Sequence, residues 1–311
     1  MGEFVLHLPD SQLQDPARLK PFYRRLADGL AEAGHAVRLI RHDRDRIEGE
    51  VAADTAFHIV DHGRIQHPRV LNAGIAYVYP FWNLDPHGIR ALSSIAAMPF
   101  DAGTVDGQAA RAFMARQRQR LVAARVSRYD QPQDVAPVPS GCIAVFLQSE
   151  AHRDLAETCY LSLREMVGAV IARDDPRPIV IKPHPRDLDP ETREFLHRIA
   201  RKDARVQVMD ANIHDILAAC DCVVTINSAV GIEAMFHRKP VVLCGRADFH
   251  HNAVPCHRAG AVDRAIGKAM RRNWPHGRFL YWYFGIQCVN AMSETLVEDV
   301  LERVRAAGHR A

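Results

Sequence analysis

The chain has 311 residues, of which 48% are hydrophobic and 25% are charged, and its formal net charge is +3. These proportions are typical of a globular protein with a sizeable core, and they exclude an intrinsically disordered chain. The net charge is too small, and the Lys and Arg residues are too scattered, to favour nucleic acid as a partner.

Three features of the whole chain predict a cytoplasmic location. No run of eighteen apolar residues occurs, so no transmembrane helix is predicted. The N-terminus begins with strand-forming residues and lacks the pattern of a signal peptide. The seven cysteines are odd in number and scattered along the chain, which favours a reducing compartment over a disulfide framework.

The first part of the chain, residues 1–138, predicts a Rossmann-like α/β domain. Strands are predicted from apolar runs, and the apolar spacing of residues 16–33 predicts an amphipathic helix that ends at Gly34. The predicted strands are residues 4–8, 37–40, 56–60 and 70–79. A long polar helix is expected over residues 106–127. Strand and helix alternate, as in α/β domains.

A second Rossmann-like domain is predicted over residues 139–275. Residues 129–141 contain three prolines and a glycine among polar residues, so they predict a linker, and the domain boundary is placed at its end. Buried strands are then predicted near residues 142–147, 179–181, 206–208, 222–226 and 241–243. Helical sequence separates them, which is typical of a doubly wound parallel sheet.

The last segment, residues 276–311, is expected to pack back towards the first domain. It contains an aromatic cluster, residues 279–284, and a final amphipathic helix over residues 293–307. Packing is the favoured interpretation of the cluster. A membrane-interface anchor is the alternative, and with it a peripheral association with the inner membrane stays open.

Polar residues follow the predicted strands of the second domain where ligands bind in such sheets. Lys182 and His184 stand in a Lys-Pro-His-Pro sequence, where two prolines restrict the backbone around one imidazole. An N–H of His184 and the charge of Lys182 suit a phosphate. The alternative is a histidine that only caps a helix or bonds a carbonyl.

The turn after the next strand contains Asn227, Ser228 and Gly231 and leads into a helix. Backbone N–H groups and a hydroxyl at a helix N-terminus bind anions. Glu233 either caps those N–H groups or bonds the vicinal hydroxyls of a ribose. No Walker sequence and no G-x-G-x-x-G motif occurs, so a nicotinamide cofactor is not supported.

No metal is expected. Cys220 and Cys222 have no second pair to complete a zinc site, and the spacing of His250, His251 and His257 matches no standard zinc set.

Three segments together resemble the capsular polysaccharide biosynthesis family, which includes the Kdo transferases of bacterial capsule and lipopolysaccharide assembly. They are residues 181–185, residues 225–234, and residues 239–245 with Lys239, Pro240 and Gly245. Gln148, after the first strand of the second domain, also resembles a glutamine found there. The resemblance covers residues 142–250. It implies a GT-B fold, with two Rossmann-like domains facing a central cleft.

The resemblance also implies an activity. A glycosyltransferase would move an acidic sugar, most simply Kdo, from a CMP-sugar to a bacterial surface glycan, with the nucleotide sugar as substrate and no cofactor. His184 and Ser228 would hold the CMP phosphate with help from Lys182, and Glu233 would bind the ribose. The alternatives are a CDP-polyol phosphotransferase and a non-catalytic partner in capsule assembly.

A sugar transferase also needs a carboxylate that acts as base or nucleophile. Asp85 is the first candidate because it is predicted to lie in a loop just past a strand end. Asp10, after the first strand, is the rival, and Glu150 is the third candidate. An ordinary turn aspartate before a proline is the alternative for Asp85.

Overall fold

The computed structural model describes residues 2–148, 158–186 and 189–309, and the chain divides into two compact units. The first unit consists of Met1–Met98 with Tyr283–Ala311, and the second of Pro99–Trp282.

The first unit is built on a six-stranded sheet. Its strands are β1 (Glu3–Leu8), β2 (Ala36–Arg41), β3 (Phe57–Asp61), β4 (Val70–Ile75), β5 (Phe81–Asp85) and β12 (Val289–Asn290), in the spatial order β12-β5-β4-β3-β1-β2. The first four strands are mutually parallel, whereas β5 is antiparallel to β4 and β12 is antiparallel to β5. The helices are α1 (Asp10–Leu13), α2 (Pro21–Glu32), α3 (Ile47–Ala53) and α11 (Leu296–Ala306).

Helix α2 packs on this sheet through the apolar face that the sequence predicts. Phe22, Tyr23, Leu26 and Leu30 are fully buried, and the ring of Phe22 stacks on Trp82 at a centroid distance of 4.3 Å. The helix begins later than predicted, at Pro21. Proline is favoured at the first position of a helix, because the N–H that it lacks would have no partner within the helix there.

The sequence-based prediction of β5 is wrong. Residues 70–79 were expected to form one strand followed by a loop, but β4 ends at Ile75 and the chain reverses, so that Phe81–Asp85 pairs antiparallel with β4. All five residues of β5 are buried, and no turn dipeptide marks the reversal. A fully buried strand has no alternation of apolar and polar residues to reveal it.

The second unit contains a parallel sheet of six strands. These are β6 (Ile143–Phe146), β7 (Ile179–Lys182), β8 (Val206–Val208), β9 (Cys222–Thr225), β10 (Val241–Leu243) and β11 (Val254–Pro255), in the order β11-β10-β9-β6-β7-β8. This is the strand order of a Rossmann sheet, 3-2-1-4-5-6. The helices are α4 (Gly107–Gln117), α5 (Leu163–Ile171), α6 (Pro190–Lys202), α7 (Ile213–Ala219), α8 (Val230–Phe236), α9 (Val262–Arg271) and α10 (His276–Leu280).

One predicted helix is shorter than expected. Helix α4 gives way to a π-helical turn, Arg118–Ala123, within the predicted span of residues 106–127. Helix α5 begins at a capping box formed by Ser162 and Glu165.

The predicted boundary at residues 138/139 falls inside the second unit. The proline-rich stretch before this boundary forms hydrogen bonds with α7 and with Asn212, the N-cap residue of α7. Asn212 Nδ2 donates to the carbonyl of Pro132 at 2.9 Å, and the carboxylate of Asp215 accepts from Arg125 and from the N–H of Ala136. Composition suggested a free linker, but these bonds fix the stretch to the second unit.

The end of the chain enters the first unit at Tyr283. There Val289 of β12 lies opposite Trp82, and Arg25 Nη2 donates to the carbonyl of Ser293 at 2.8 Å. In the aromatic cluster Phe279, Tyr283 and Phe284 are buried, which supports packing over a membrane anchor. No helix in the described part of the chain has the length and apolar character needed to cross a membrane.

Candidate functional site

The candidate site lies at the carboxyl ends of β6, β7 and β9. In the second sheet β6 and β9 are neighbours, and the chain winds away from them in opposite directions, towards β8 and towards β11. Open parallel sheets bind ligands in the crevice outside the strand ends at such a switch point. A cavity is present here, and Phe146 and Leu147 at the end of β6 contribute to its wall.

Four of the predicted binding residues line this one cavity: Lys182, His184, Ser228 and Glu233. They come from separate segments between residues 182 and 233, and the parallel sheet brings the ends of β7 and β9 to one edge. Ser127, Arg128, Tyr129 and Gln131 line the same cavity. The sequence interpretation missed this group because it assigned that stretch to the polar helix and the linker.

Lys182 is the last residue of β7, and its side chain is 4% exposed. Its Nζ donates to Oδ1 of Asp210 at 2.8 Å, while Asp210 itself is 83% exposed. A buried ammonium group therefore has a solvent-exposed carboxylate as its counterion. An anionic ligand could compete with that carboxylate for the charge.

His184 is oriented by its own turn. Its Nδ1 accepts a hydrogen bond from the backbone N–H of Arg186 at 3.1 Å, so a neutral imidazole carries its proton on Nε2. Its ring also packs edge-on against Tyr129 at a centroid distance of 5.1 Å. The imidazole is thus both anchored to the backbone and set up as an N–H donor.

Ser228 and Asn227 follow the end of β9. Ser228 Oγ accepts from the N–H of Val230 at 3.4 Å, whereas the Asn227 side chain donates to the carbonyl of Arg246 at 2.8 Å. Gln148 Oε1 accepts from the N–H of Asn227 at 3.4 Å. Asn227 and Gln148 therefore buttress the turn, while Ser228 lines the cavity.

Gly231 is buried in the seven-residue helix α8 and does not line the cavity. A Cβ atom at this position would lie 3.0 Å from the ring of Phe249. Glycine is needed here for close packing, which differs from the binding role that the sequence suggested.

Glu233 does not cap the helix N-terminus. Its Oε1 accepts a 2.6 Å hydrogen bond from Ser127 Oγ, and the residue is 6% exposed. Burial raises the pKa of Glu233 to about 7, against the opposing effects of the Ser127 hydroxyl and the charge of Arg128. Near neutral pH this carboxyl group exchanges between its protonated and ionised forms.

The cavity has a volume of about 40 Å³, far less than the space a nucleotide needs. The ring of Tyr129 lines this cavity, and two guanidinium groups lie near it, Arg186 at 4.8 Å and Arg128 at 5.6 Å from its centroid. A much larger cavity, about 1190 Å³, lies elsewhere in the same unit. We place the site by its strand ends and side-chain chemistry, not by its volume.

In the first unit, the structure removes the basis for Asp85 as the catalytic carboxylate. Its Oδ1 accepts from the N–H groups of His87 and Gly88, and its Oδ2 accepts from the N–H and the hydroxyl of Ser94. In the strand register Asp85 lies opposite Asn72 of β4, which is level with Val60 of β3. Its carboxylate is engaged by four donors and holds the turn that follows β5.

Asp10 lies at the carboxyl edge of the first sheet, just after β1. Its carboxylate is 45% exposed and pairs with Arg41 at 3.2 Å. Glu150 falls outside the residues that the structure describes.

Asp61 is a carboxylate that the sequence interpretation missed. It ends β3, the neighbour of β1, and its side chain is 3% exposed. It accepts from Tyr23 OH at 2.6 Å, Lys20 Nζ at 3.0 Å and His62 Nδ1 at 2.8 Å. Burial by itself would raise the pKa of Asp61, but the His62 hydrogen bond and the charges of His62 and Lys20 outweigh it and lower the pKa to about 2.

Asp61 directly follows the predicted strand of residues 56–60. The signal that made Asp10 and Asp85 candidates, an aspartate just past a strand end, could therefore have found it. In the first sheet β1 and β3 are neighbours from which the chain winds in opposite directions. Asp10 and Asp61 thus follow the two strands of this sheet's own switch point.

Among the residues that the structure describes, no group of three or more His, Cys, Asp or Glu side chains is arranged to hold a metal ion. The Nδ1 atoms of His250 and His251 lie within hydrogen-bonding distance of the carbonyl oxygens of Ala247 and Asp248.

Residues 145–262 match the family model described as capsule polysaccharide biosynthesis protein. The predicted resemblance to this family is confirmed. The matched segment contains β6 to β11 apart from the first two residues of β6, and with them Lys182, His184, Ser228 and Glu233. No curated protein matches the chain.

Two solved structures of KpsC from Thermosulfurimonas dismutans are similar to this chain. One is titled beta Kdo 2,7 transferase, with a TM-score of 0.56, 15% identity, and coverage of 98% of this chain and 99% of that chain. The other is titled beta Kdo 2,4 transferase, with a TM-score of 0.52, 14% identity, and coverage of 88% of each chain. At these identities the likeness shows the fold, which is the predicted GT-B type with two Rossmann-like domains.

Proposed function

We propose that this chain is a glycosyltransferase that moves an acidic sugar, with Kdo as the first candidate, from a CMP-sugar donor to a bacterial surface glycan. The observation that carries the proposal is the convergence of Lys182, His184 and Ser228 at the switch point of a Rossmann-ordered sheet. The family match and the shared fold with proteins titled Kdo transferases support it.

In this proposal the second unit stabilises the leaving group. Breaking the bond between the sugar and CMP places negative charge on the phosphate. His184 donates an N–H from Nε2, Lys182 contributes its positive charge, and Ser228 contributes a hydroxyl. Donors held in place before the reaction stabilise developing charge without further reorganisation.

Glu233 has a different part in the proposal. Its carboxyl group lies in the same cavity as the phosphate-binding side chains, and its raised pKa limits its negative charge near neutral pH. A carboxyl group of this kind accepts hydrogen bonds from ribose hydroxyls without strongly repelling the phosphate.

Donor binding requires the Tyr129 segment to move. The described cavity is too small for a nucleotide, and the Tyr129 ring packs edge-on against His184 within it. The segment that carries Tyr129 is part of the second unit, so its displacement opens the donor site from within that unit. A ligand that favours the open form selects it by mass action.

Asp61 replaces Asp85 as the candidate catalytic carboxylate. A group with a pKa of about 2 is ionised throughout the physiological range and is a weak base. Such a carboxylate suits stabilisation of an oxocarbenium-like transition state, or attack as a nucleophile, better than proton abstraction.

The first test is a thermal-shift titration with CMP, CDP, UMP and UDP. We expect CMP to raise the melting temperature of the wild type by mass action, and His184→Ala to lose about tenfold or more in affinity. His197→Ala, an exposed histidine on α6, is the matched control and should respond like the wild type.

The outcomes separate the candidate functions. Stabilisation by UDP instead of CMP would contradict the cytidylate donor. CMP binding without release of CMP from CMP-Kdo would redirect the search to CDP-polyols. Failure of every nucleotide to bind would favour a non-catalytic role in capsule assembly.

A further inference from the structure

A large cavity of the second unit lies away from the candidate donor site. It has a volume of about 1190 Å³ and is formed by α4, the π-helical turn after it, and the segment that joins α9 to α10. Pro240, which precedes β10, also contributes to its wall. In a parallel sheet the amino ends of the strands lie opposite the carboxyl ends, so this cavity is at the other edge from His184.

Five arginines line this cavity, which we call the arginine cavity: Arg111, Arg118, Arg238, Arg272 and Arg278. Its lining includes no Asp or Glu. Within the described residues, none of the five guanidinium groups forms an ion pair with a carboxylate.

Some arginines elsewhere in this unit do have carboxylate partners. Arg173 pairs with Asp175 at 2.6 Å and with Asp263 at 2.8 Å, and Arg205 pairs with Asp203 at 2.6 Å.

Neutral groups hold several of the five arginines in place. Arg278 Nη1 donates to the carbonyl of Ala102 at 2.7 Å, and Arg118 donates to the carbonyl of Phe236. The guanidinium of Arg272 stacks over Trp274 at 4.3 Å from the ring centroid. These contacts hold the side chains through uncharged groups.

The field of these charges is evident on neighbouring groups. Burial and the charge of Arg238 lower the pKa of Arg118, and they lower the pKa of His276 to about 4. Asp106 lies within the field of Arg111 and Arg278, but its carboxylate accepts from the N–H groups of Gln108 and Ala109 as the cap of α4. Like charges gathered in this way are relieved by a bound anion.

We propose that the arginine cavity is a second binding site, for a ligand that carries phosphate groups. Guanidinium groups present paired N–H donors that match phosphate oxygens, and several of them around one cavity fit a ligand with more than one anionic group. The volume exceeds the range typical of small-molecule sites, roughly 300–1,000 Å³. The proposal rests on these residues alone and is independent of the proposed activity.

Calorimetric titration with inorganic pyrophosphate tests the proposal on the full chain. We expect one-to-one binding that weakens as salt is added. The double variant Arg238→Asn with Arg272→Gln should lose at least about tenfold in affinity, because each lost charge-assisted hydrogen bond is worth about that much. Asparagine suits position 238, where φ is +59°, since it tolerates the left-handed region.

Two controls make the result specific. Arg193→Gln with Arg198→Gln removes the same number of charges from exposed positions on α6 and should leave binding unchanged. His184→Ala should also bind pyrophosphate normally, and the double variant should still bind CMP if the wild type does. Equal losses in both double variants would overturn the proposal, since they would show attraction to net charge only.

Vesicles distinguish the sources of the phosphate. Co-sedimentation with anionic phospholipid vesicles but not with phosphatidylcholine vesicles, abolished in the double variant, would assign the site to a lipid headgroup. Pyrophosphate binding without vesicle binding would assign it to a soluble ligand. If neither pyrophosphate nor vesicles bind, the proposal is wrong.

Discussion

The hydroxyl of Ser127 donates a 2.6 Å hydrogen bond to Oε1 of Glu233, although 106 residues separate the two in the chain. This bond ties the turn after the polar helix to α8 and places a buried carboxyl group in the candidate donor site. Its energetic consequence depends on pH, because burial raises the pKa of Glu233 from 4.5 to about 7.

The raised pKa gives the first prediction. Between the unfolded and folded pKa values the folded chain holds more protons at Glu233, so this group's contribution to stability is complete below about pH 4.5 and is lost as the pH rises through about 7. Glu233→Gln lacks this dependence. Between about pH 4 and pH 8, the free energy of unfolding of the wild type should fall by on the order of 3 kcal/mol relative to that of the variant.

Urea unfolding at both pH values measures the difference. Ser127→Ala, which retains the carboxyl group, is the control and should keep the pH dependence. Parallel pH profiles for the wild type and Glu233→Gln would show that Glu233 titrates normally.

The pair formed by Lys182 and Asp210 gives the second prediction. The exposed carboxylate of Asp210 is paired with the buried ammonium group of Lys182. Asp210→Asn removes this counterion, so the ammonium group should become available to a nucleotide phosphate. We expect this variant to bind CMP more tightly than the wild type, and Lys182→Met to bind it less tightly by about tenfold. Thermal-shift titrations measure both. Weaker CMP binding by Asp210→Asn would instead mean that the carboxylate positions Lys182.

Asp61 gives the third prediction. Its pKa is lowered from 3.8 to about 2, so its stabilising contribution is present above about pH 3.8 and is lost as the pH falls through 2. Asp61→Asn should lower the free energy of unfolding by on the order of 2 kcal/mol at neutral pH.

Its role in catalysis requires a separate comparison. Asp61→Asn should reduce sugar transfer by about a hundredfold more than Tyr23→Phe, which removes one hydrogen bond to the same carboxylate. Both are assayed well below their melting temperatures by release of CMP. Similar losses in the two variants would assign Asp61 a structural role only.

Gly231 gives the fourth prediction. Because a Cβ would lie 3.0 Å from the ring of Phe249, Gly231→Ala should destabilise the chain by about 1–3 kcal/mol. Gly168→Ala is the matched control. This helical glycine on α5 is exposed and has nothing within 4 Å of its added methyl group, so alanine there should stabilise by about 0.5–1 kcal/mol. Thermal melts compare the two, and a neutral Gly231→Ala would remove the packing explanation.

The absence of a metal requirement is the fifth prediction. The proposed chemistry uses Lys182, His184 and Ser228 for the phosphate charge, so treatment with EDTA should leave sugar transfer unchanged. Loss of activity that Mg²⁺ or Mn²⁺ restores would contradict it.

The parallel sheet of the second unit and the residues at its strand ends are predictable from the sequence. Apolar runs such as residues 179–181 have no other satisfactory environment than a buried strand, and side chains just beyond parallel strands meet at one edge. The sequence therefore predicts that Lys182, His184 and Ser228 lie close together.

Other features depend on contacts between residues that are distant in the chain. The antiparallel direction of β5, at whose end Asp85 lies, depends on pairing with β4 and not on any local signal. Three features depend on residues that are distant in the chain. They are the hydrogen bond between Ser127 and Glu233, the contacts that keep Asp61 ionised, and the grouping of five arginines. The burial and the charge state of such residues arise from tertiary packing, so local sequence patterns do not predict them.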